Sequence, residues 1–230
     1  MNDTSNKGFT LIELLVAMAV ASIMMAVVVA TYQVQVRGKN TQEAMTDMNQ
    51  TMRGAMEVMI NEICKAGFDT VPASSAIAGI LLADSNQLRF TMDISNGVDR
   101  TPDGDVNDPG EDIRYAINTS GHLGRDVSNS GTLQPLARNV DALNFVYFDN
   151  STPPAVMATP VAAGQLANIR SIQVTIVARA GEAGGVGFVG AHTDSTAYFN
   201  PQGDEILAAQ NDSYRRVMFS TLIQCRNLGI

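Results

Sequence analysis

Lys7-Gly8-Phe9-Thr10-Leu11-Ile12-Glu13-Leu14-Leu15-Val16 opens an apolar run that continues to about Ala30. Apart from Glu13 the run is uncharged, and at about 20 residues it is long enough to cross a bilayer as a helix. An ionised carboxylate in that setting costs about 3 kcal/mol or more unless it is paired, which makes Glu13 a functional candidate. A secretory signal peptide would carry its small-residue cleavage site after the apolar core. Here the small residue, Gly8, comes first and directly follows Lys7, so a cut at Gly8 leaves the apolar segment on the mature chain.

The order Lys-Gly-Phe-Thr-Leu-Ile-Glu-Leu-Leu-Val, followed by Ala, Met and Val, resembles the type IV prepilin signature. The resemblance implies that a prepilin peptidase cuts between Gly8 and Phe9 and methylates the new amine of Phe9. It also implies that Glu13, then the fifth residue, meets the terminal amine of a neighbouring subunit and aligns it during filament assembly. Residues 1–8 would be the leader. A plain membrane anchor with Glu13 at the interface is the alternative.

Working outward, residues 9–36 read as a transmembrane or filament-core helix. Arg37 and Lys39 follow the apolar run and Lys7 precedes it, so flanking charge does not orient the span. Beyond it Met45, Met48, Met52, Met56, Met59 and Ile63 recur at helical spacing, with Thr46, Asp47, Asn49, Gln50, Arg53, Glu57 and Asn61 on the other faces. The spacing predicts one helix over 9–67, ended by Gly67, with the methionine face turned to a sheet. Gly38 is its weak point. The expected fold class is α+β: a long N-terminal helix packed on an antiparallel β-sheet domain, residues 68–230, as in pilins.

Strand patterns lie at 87–92, 112–118, 122–125, 142–148, 169–179 and 216–225, the last expected to close the sheet, with a hairpin turn at Thr119-Ser120-Gly121. Residues 181–213, rich in Gly, Asp, Asn and Ala, read as a long loop, either a partner-binding flap or a flexible insertion. The segments 136–147 and 214–221, with Arg226-Asn227, resemble PilW-type minor pilins; pseudopilin J of type II secretion shares the layout.

The net charge of −8 disfavours nonspecific nucleic-acid binding. Cys64 and Cys225, an even count, would form one disulfide after export, the alternative being two buried free thiols. An acidic stretch holds Asp99, Asp103, Asp105, Asn107, Asp108, Glu111 and Asp112. Asp103, Asp105 and Asn107 alternate as in the first half of a calcium loop, and Glu111 or Asp112 would complete the shell. Asp108 and Arg114 stand where an EF-hand needs glycine and glutamate, so the loop is no EF-hand. A solvated acidic turn is the other reading.

His122 and His192 lack triad or metal spacing, and the glycines between 181 and 190 lack a phosphate-loop ending, so no enzyme is expected. The expected function is that of a minor pilin that primes pilus assembly within a tip complex. Its expected partners are prepilin peptidase, other minor and major pilins and an inner-membrane assembly platform. Its expected location is the inner membrane, single-pass with a periplasmic domain, and then the pilus. A type II secretion pseudopilin, a tip adhesin using 181–213 and an anchored periplasmic enzyme are the rival readings.

Overall fold

The computed structural model describes residues 8–69, 79–99, 101–127, 130–181 and 193–228. The expected helix is one α-helix, α1, over Leu11–Ile63, which runs unbroken through Gly38. Residues up to Glu43 and residues from Ala44 onward belong to separate compact units.

In the first unit α1 buries nothing. Its most apolar 18-residue window has a mean hydropathy of 2.6, and no part of that window is buried. Ser22 and Thr31 return their hydroxyls to the carbonyls of Ala19 and Val27 at 2.8 and 2.9 Å, which lets polar side chains sit in an apolar helix without unpaired groups.

In the second unit the methionine face is core. Met48, Met52, Met56, Met59 and Ile63 are buried, and Met45 packs against them. The helix gives way to turns over 64–67, where Gly67 takes the left-handed φ of 77° that ends helices. Glu62, one residue before the helix end, receives the Tyr115 hydroxyl and the Arg125 guanidinium, fastening α1 to the sheet. Burial and the Glu62 charge together push the Tyr115 hydroxyl well above its ordinary pKa.

The strands form two main antiparallel sheets rather than one. The first has the order β1 (Gly79–Ala83), β2 (Gln87–Thr91), β3 (Asp112–Ile117), β4 (Leu123–Asp126), β5 (Gln134–Ala137). Pro135 fits β5's place at the edge, where a missing N–H costs no ladder bond. The hairpin between β3 and β4 turns where expected, Asn118 Oδ1 accepting from the N–H groups of Ser120 and His122.

The second sheet places β7 (Ser171–Arg179) between β6 (Val140–Phe148) and β10 (Arg216–Gln224). Segment 216–225 therefore closes this second sheet, paired from Arg216↔Arg179 to Gln224↔Ser171. Period-2 alternation sorts its residues. The pairs Leu143↔Ile176, Phe145↔Val174 and Tyr147↔Ile172 belong to the core shared with α1. Tyr147 donates its hydroxyl to the Asp84 carbonyl at 2.8 Å, linking this sheet to the β1–β2 turn.

The intervening pairs, Asn144↔Thr175 and Val146↔Gln173, face the other way, yet Thr175 and Val146 are also buried. Their cover comes from the segment expected to be a loop. Residues 193–213 carry a short ladder, β8 (Tyr198–Phe199) with β9 (Glu205–Leu207), and an Asp194↔Asp212 bridge. Asn200 Nδ2 donates to Asn144 Oδ1 at 3.1 Å and Gln202 Nε2 to Gln173 Oε1 at 2.6 Å, which seats the ladder on the sheet. The described part of 181–213 is a fitted cover and not a flexible insertion; residues 182–192, with His192, lie outside the described residues.

Candidate functional site

The N-terminal segment is built for local self-sufficiency. Thr10 precedes the first helical residue, and both its N–H and its hydroxyl donate to Glu13 Oε2 at 2.9 Å. Glu13 N–H reaches back to Thr10 Oγ1 at 3.4 Å, so Thr10-Leu11-Ile12-Glu13 is a capping box. The Thr-x-x-Glu spacing made this legible in the sequence, although Glu13 was read there only for its charge. Gly8 and Phe9 lie outside the helix and exposed; a side-chain carbon at Gly8 would meet nothing within 4 Å. Nothing among the described residues requires glycine at position 8.

The five residues expected to share a cation do not come together as one donor set. Asp112 begins β3 and its carboxylate holds Arg89, Nε at 2.9 Å and Nη2 at 2.5 Å. Glu111 is buried, and its oxygens accept the N–H groups of Ile94, Ser95 and Asp108 at 2.8, 2.9 and 3.1 Å. Burial raises the pKa of Glu111, partly offset by those backbone donors. Asp93, also buried, accepts from the N–H groups of Asp103 and Gly104. These two inward carboxylates fix the backbone of the acidic loop.

What converges on the outside is Asp103, Asp105 and Asp108, with carboxylate oxygens within 4.8 Å of one another. Asn107 is exposed beside them, giving its N–H to Asp105 Oδ1 at 3.0 Å. Three carboxylates could contribute to a hard-cation shell of six to eight oxygens, while Glu111 is engaged with backbone donors and Asp112 with Arg89.

Local desolvation raises the pKa of Asp108, as do the charges of Asp103, Asp105 and Asp93. For an acid with a raised folded pKa, the folded state holds the proton more tightly. Stability therefore falls as pH rises from the ordinary aspartate value through the raised one. Asp108→Asn, neutral at every pH, should melt higher than the parent chain at pH 7 and the same as it near pH 3; a pH-independent difference in thermal melts would contradict this.

A second polar cluster was not foreseen. Arg216, at the start of β10, donates Nε to Asp141 Oδ2 at 2.6 Å, Nη1 to Asp194 Oδ2 at 3.1 Å, and Nη1 and Nη2 to Asp212 at 2.7 and 2.6 Å. Arg179 also pairs with Asp141, and its guanidinium stacks on Tyr214, 5.5 Å from the ring centre. The cluster pins both ends of the 194–212 excursion to the second sheet. No spacing rule could have found it, because its members lie 4 to 75 residues apart.

Cys64 and Cys225 are free thiols, the first half-buried and the second buried. His122 is half-buried, and its Nδ1 has no hydrogen-bond partner among the described residues. An open groove of about 450 Å³ lies between the start of the methionine face, at Ala44, Asp47, Met48 and Thr51, and the Pro135–Asn139 segment.

Comparison with known proteins separates the chain into two matching parts. Residues 3–29 match the prokaryotic N-terminal methylation motif, and residues 115–227 match the type IV pilus-assembly protein W family. The second match begins within β3 and contains every later strand. Among solved structures, a type IV-like pilin from Thermus thermophilus superposes over 80% of this chain and 100% of its own, with a TM-score of 0.51 and 16% identity. At that identity the likeness is one of fold. No curated protein sequence matches the chain. Residues 3–29 carry the prepilin-type methylation motif, residues 115–227 match the PilW family, and the fold is pilin-like: the chain is a type IV pilin-like protein that resembles the PilW minor pilins.

Proposed function

We propose that the chain is made as a single-pass inner-membrane precursor, cut between Gly8 and Phe9 by prepilin peptidase, methylated at Phe9, and drawn into a pilus. There it primes growth within a tip complex of minor pilins. The observation that carries this reading is the first half of α1, an apolar surface with nothing buried against it. Such a surface suits a bilayer before assembly and other pilin helices afterwards, where close van der Waals packing replaces lipid. The membrane platform and other pilins are the partners this requires, and the sheet domain would face the periplasm. The match of residues 115–227 to a pilus-assembly family favours a pilus over a secretion pseudopilus.

Glu13 gains a more specific role from its geometry. Its hydrogen bonds among the described residues go to Thr10, one of them to the backbone N–H next to the cleavage product's terminal residue. The carboxylate is thus held at the helix start by neutral donors, with no countercharge among the described residues, and is placed to receive a neighbouring subunit's terminal amine.

Three variants test this in cells that assemble filaments. Gly8→Ala touches nothing among the described residues, so it should leave an uncut precursor retaining its leader. Glu13→Ala should be cut normally yet enter filaments about tenfold less well, equivalent to about 1.4 kcal/mol of lost docking. Thr10→Val removes the cap's hydroxyl and keeps the charge, so it should assemble far better than Glu13→Ala. Equal defects in the last two would reduce Glu13 to a helix cap, and efficient incorporation of Glu13→Ala would overturn its docking role.

A further inference from the structure

Cys64 follows the last residue of α1, and Cys225 follows the last residue of β10. The two segments are packed together. Asn227 Nδ2 donates to the Cys64 carbonyl at 3.3 Å. At Gly67 the space a side chain would take is filled from the C-terminal segment, since a Cβ there would lie 2.5 Å from Leu228 Cδ2 and 3.2 Å from the Asn227 carbonyl. Cys225 is 4% exposed within the core, its N–H bound to the Arg170 carbonyl at 2.9 Å, and Cys64 packs against that core. Burial and, after it, the nearby Cys64 thiol push the Cys225 thiol up to about 12.

We infer that Cys64 and Cys225 close into an intramolecular disulfide clasp, joining the end of α1 to the end of the last strand when the domain meets a thiol-oxidising environment. That such an environment is reached rests on the proposed export; that the two sulfurs pair does not. Cys64 is the more exposed of the two. Its thiolate attacks one sulfur of an external disulfide, such as oxidised glutathione, expelling one thiolate and leaving a mixed disulfide. Cys225 then loses its proton and attacks the Cys64 sulfur, forming the Sγ–Sγ bond and expelling the second thiolate. Two electrons pass to the external disulfide, which leaves as two thiols, and the chain is lighter by two hydrogens.

The clasp encloses every strand of both sheets. In a filament, pull on the first half of α1 reaches the sheet domain through the second half. A covalent bond at the helix end would stop the helix peeling from the core, and the long closed loop would restrict the unfolded chain strongly.

The test uses the full chain in detergent, reduced and then given oxidised glutathione. Digestion without reductant should yield a linked peptide pair containing Cys64 and Cys225, and neither thiol should alkylate in urea. The melting temperature should rise by roughly 5–10 °C, reversed by reductant and absent in Cys64→Ser. Two alkylatable thiols after oxidation, or bonds formed only between chains, would overturn the clasp. Chain taken from cells with its thiols trapped forms the second arm. A pair that closes with glutathione but is recovered free from cells would uphold the pairing and overturn the proposed exported location.

Discussion

Arg216→Ala should cost about 3–5 kcal/mol of folding stability, a loss that follows when one partner of a buried ion cluster is removed. The Arg216 side chain is 2% exposed, and two of its partners are nearly as buried, Asp194 at 5% and Asp141 at 9%, while Asp212 is 33% exposed. With the guanidinium gone, Asp141 keeps Arg179, but among the described residues Asp194 keeps only neutral donors, from Thr196 and Tyr198. A buried carboxylate without a countercharge is among the costliest groups a fold can hold. Arg216→Lys should lie between the parent and Arg216→Ala, because lysine restores one charge but cannot reach three carboxylates with a fixed fork.

The same change should alter the acid limb of stability. Burial alone would raise Asp194, but Arg216 with Thr196 and Tyr198 outweighs it and holds that carboxyl low; Arg216 likewise holds Asp212 low. For acids with lowered folded pKa values, the stabilisation is present above the ordinary aspartate value and is lost as pH falls through the lowered ones. Arg216→Ala should therefore flatten the loss of stability below about pH 4. Urea melts at pH 7 and at pH 3 check both parts. A cost below 1 kcal/mol at pH 7 would show that the excursion is held by its ladder and not by its charges.

The reach of the sequence can be judged from particular residues. The methionine face was legible because a 3.6-residue period is a local property, and every member proved buried or packed on the core. Strands with clear alternation, such as 142–148 and 169–179, are legible for the same reason, the second forming Ser171–Arg179. Which strands pair is a nonlocal property, so 216–225 was placed at the close of one sheet when the chain builds two. Gly79–Ala83 was missed because Ile80-Leu81-Leu82 has no alternation to read.

At the acidic loop, composition alone does not say which way each carboxylate faces. Glu111 and Asp112 are neighbours, but Glu111 goes inward to backbone donors while Asp112 begins a strand beside Arg89. What the Asp112 carboxylate meets depends on a partner 23 residues away. The segment 193–213 likewise looked loose because its glycines, asparagines and aspartates are turn formers. Its order comes from Arg216 and from the amides of Asn200 and Gln202, whose partners the local sequence does not show.

Met59→Ala should destabilise the sheet domain by about 2–5 kcal/mol, whereas Met24→Ala, in the same helix, should change it by about 0.5 kcal/mol or less. Met59 is 0% exposed and Met24 is 66% exposed, so identical chemistry removes packed core at one position and open surface at the other. The chain has no tryptophan, which leaves the buried Tyr115 and Tyr147 as reporters of the core. Denaturant melts of the full chain in mild detergent, followed by near-ultraviolet dichroism of those tyrosines, give the comparison. Filament incorporation should rank the two variants the other way once Met59→Ala is assayed at a temperature where it stays folded, because only Met24 lies on the surface offered to lipid and neighbouring helices. Equal shifts in the melts would mean that the first half of α1 also supports the sheet domain. The single helix would then lose the division of labour that its burial pattern prescribes: an assembly half with no core and a core half without which the sheets have nothing to close on.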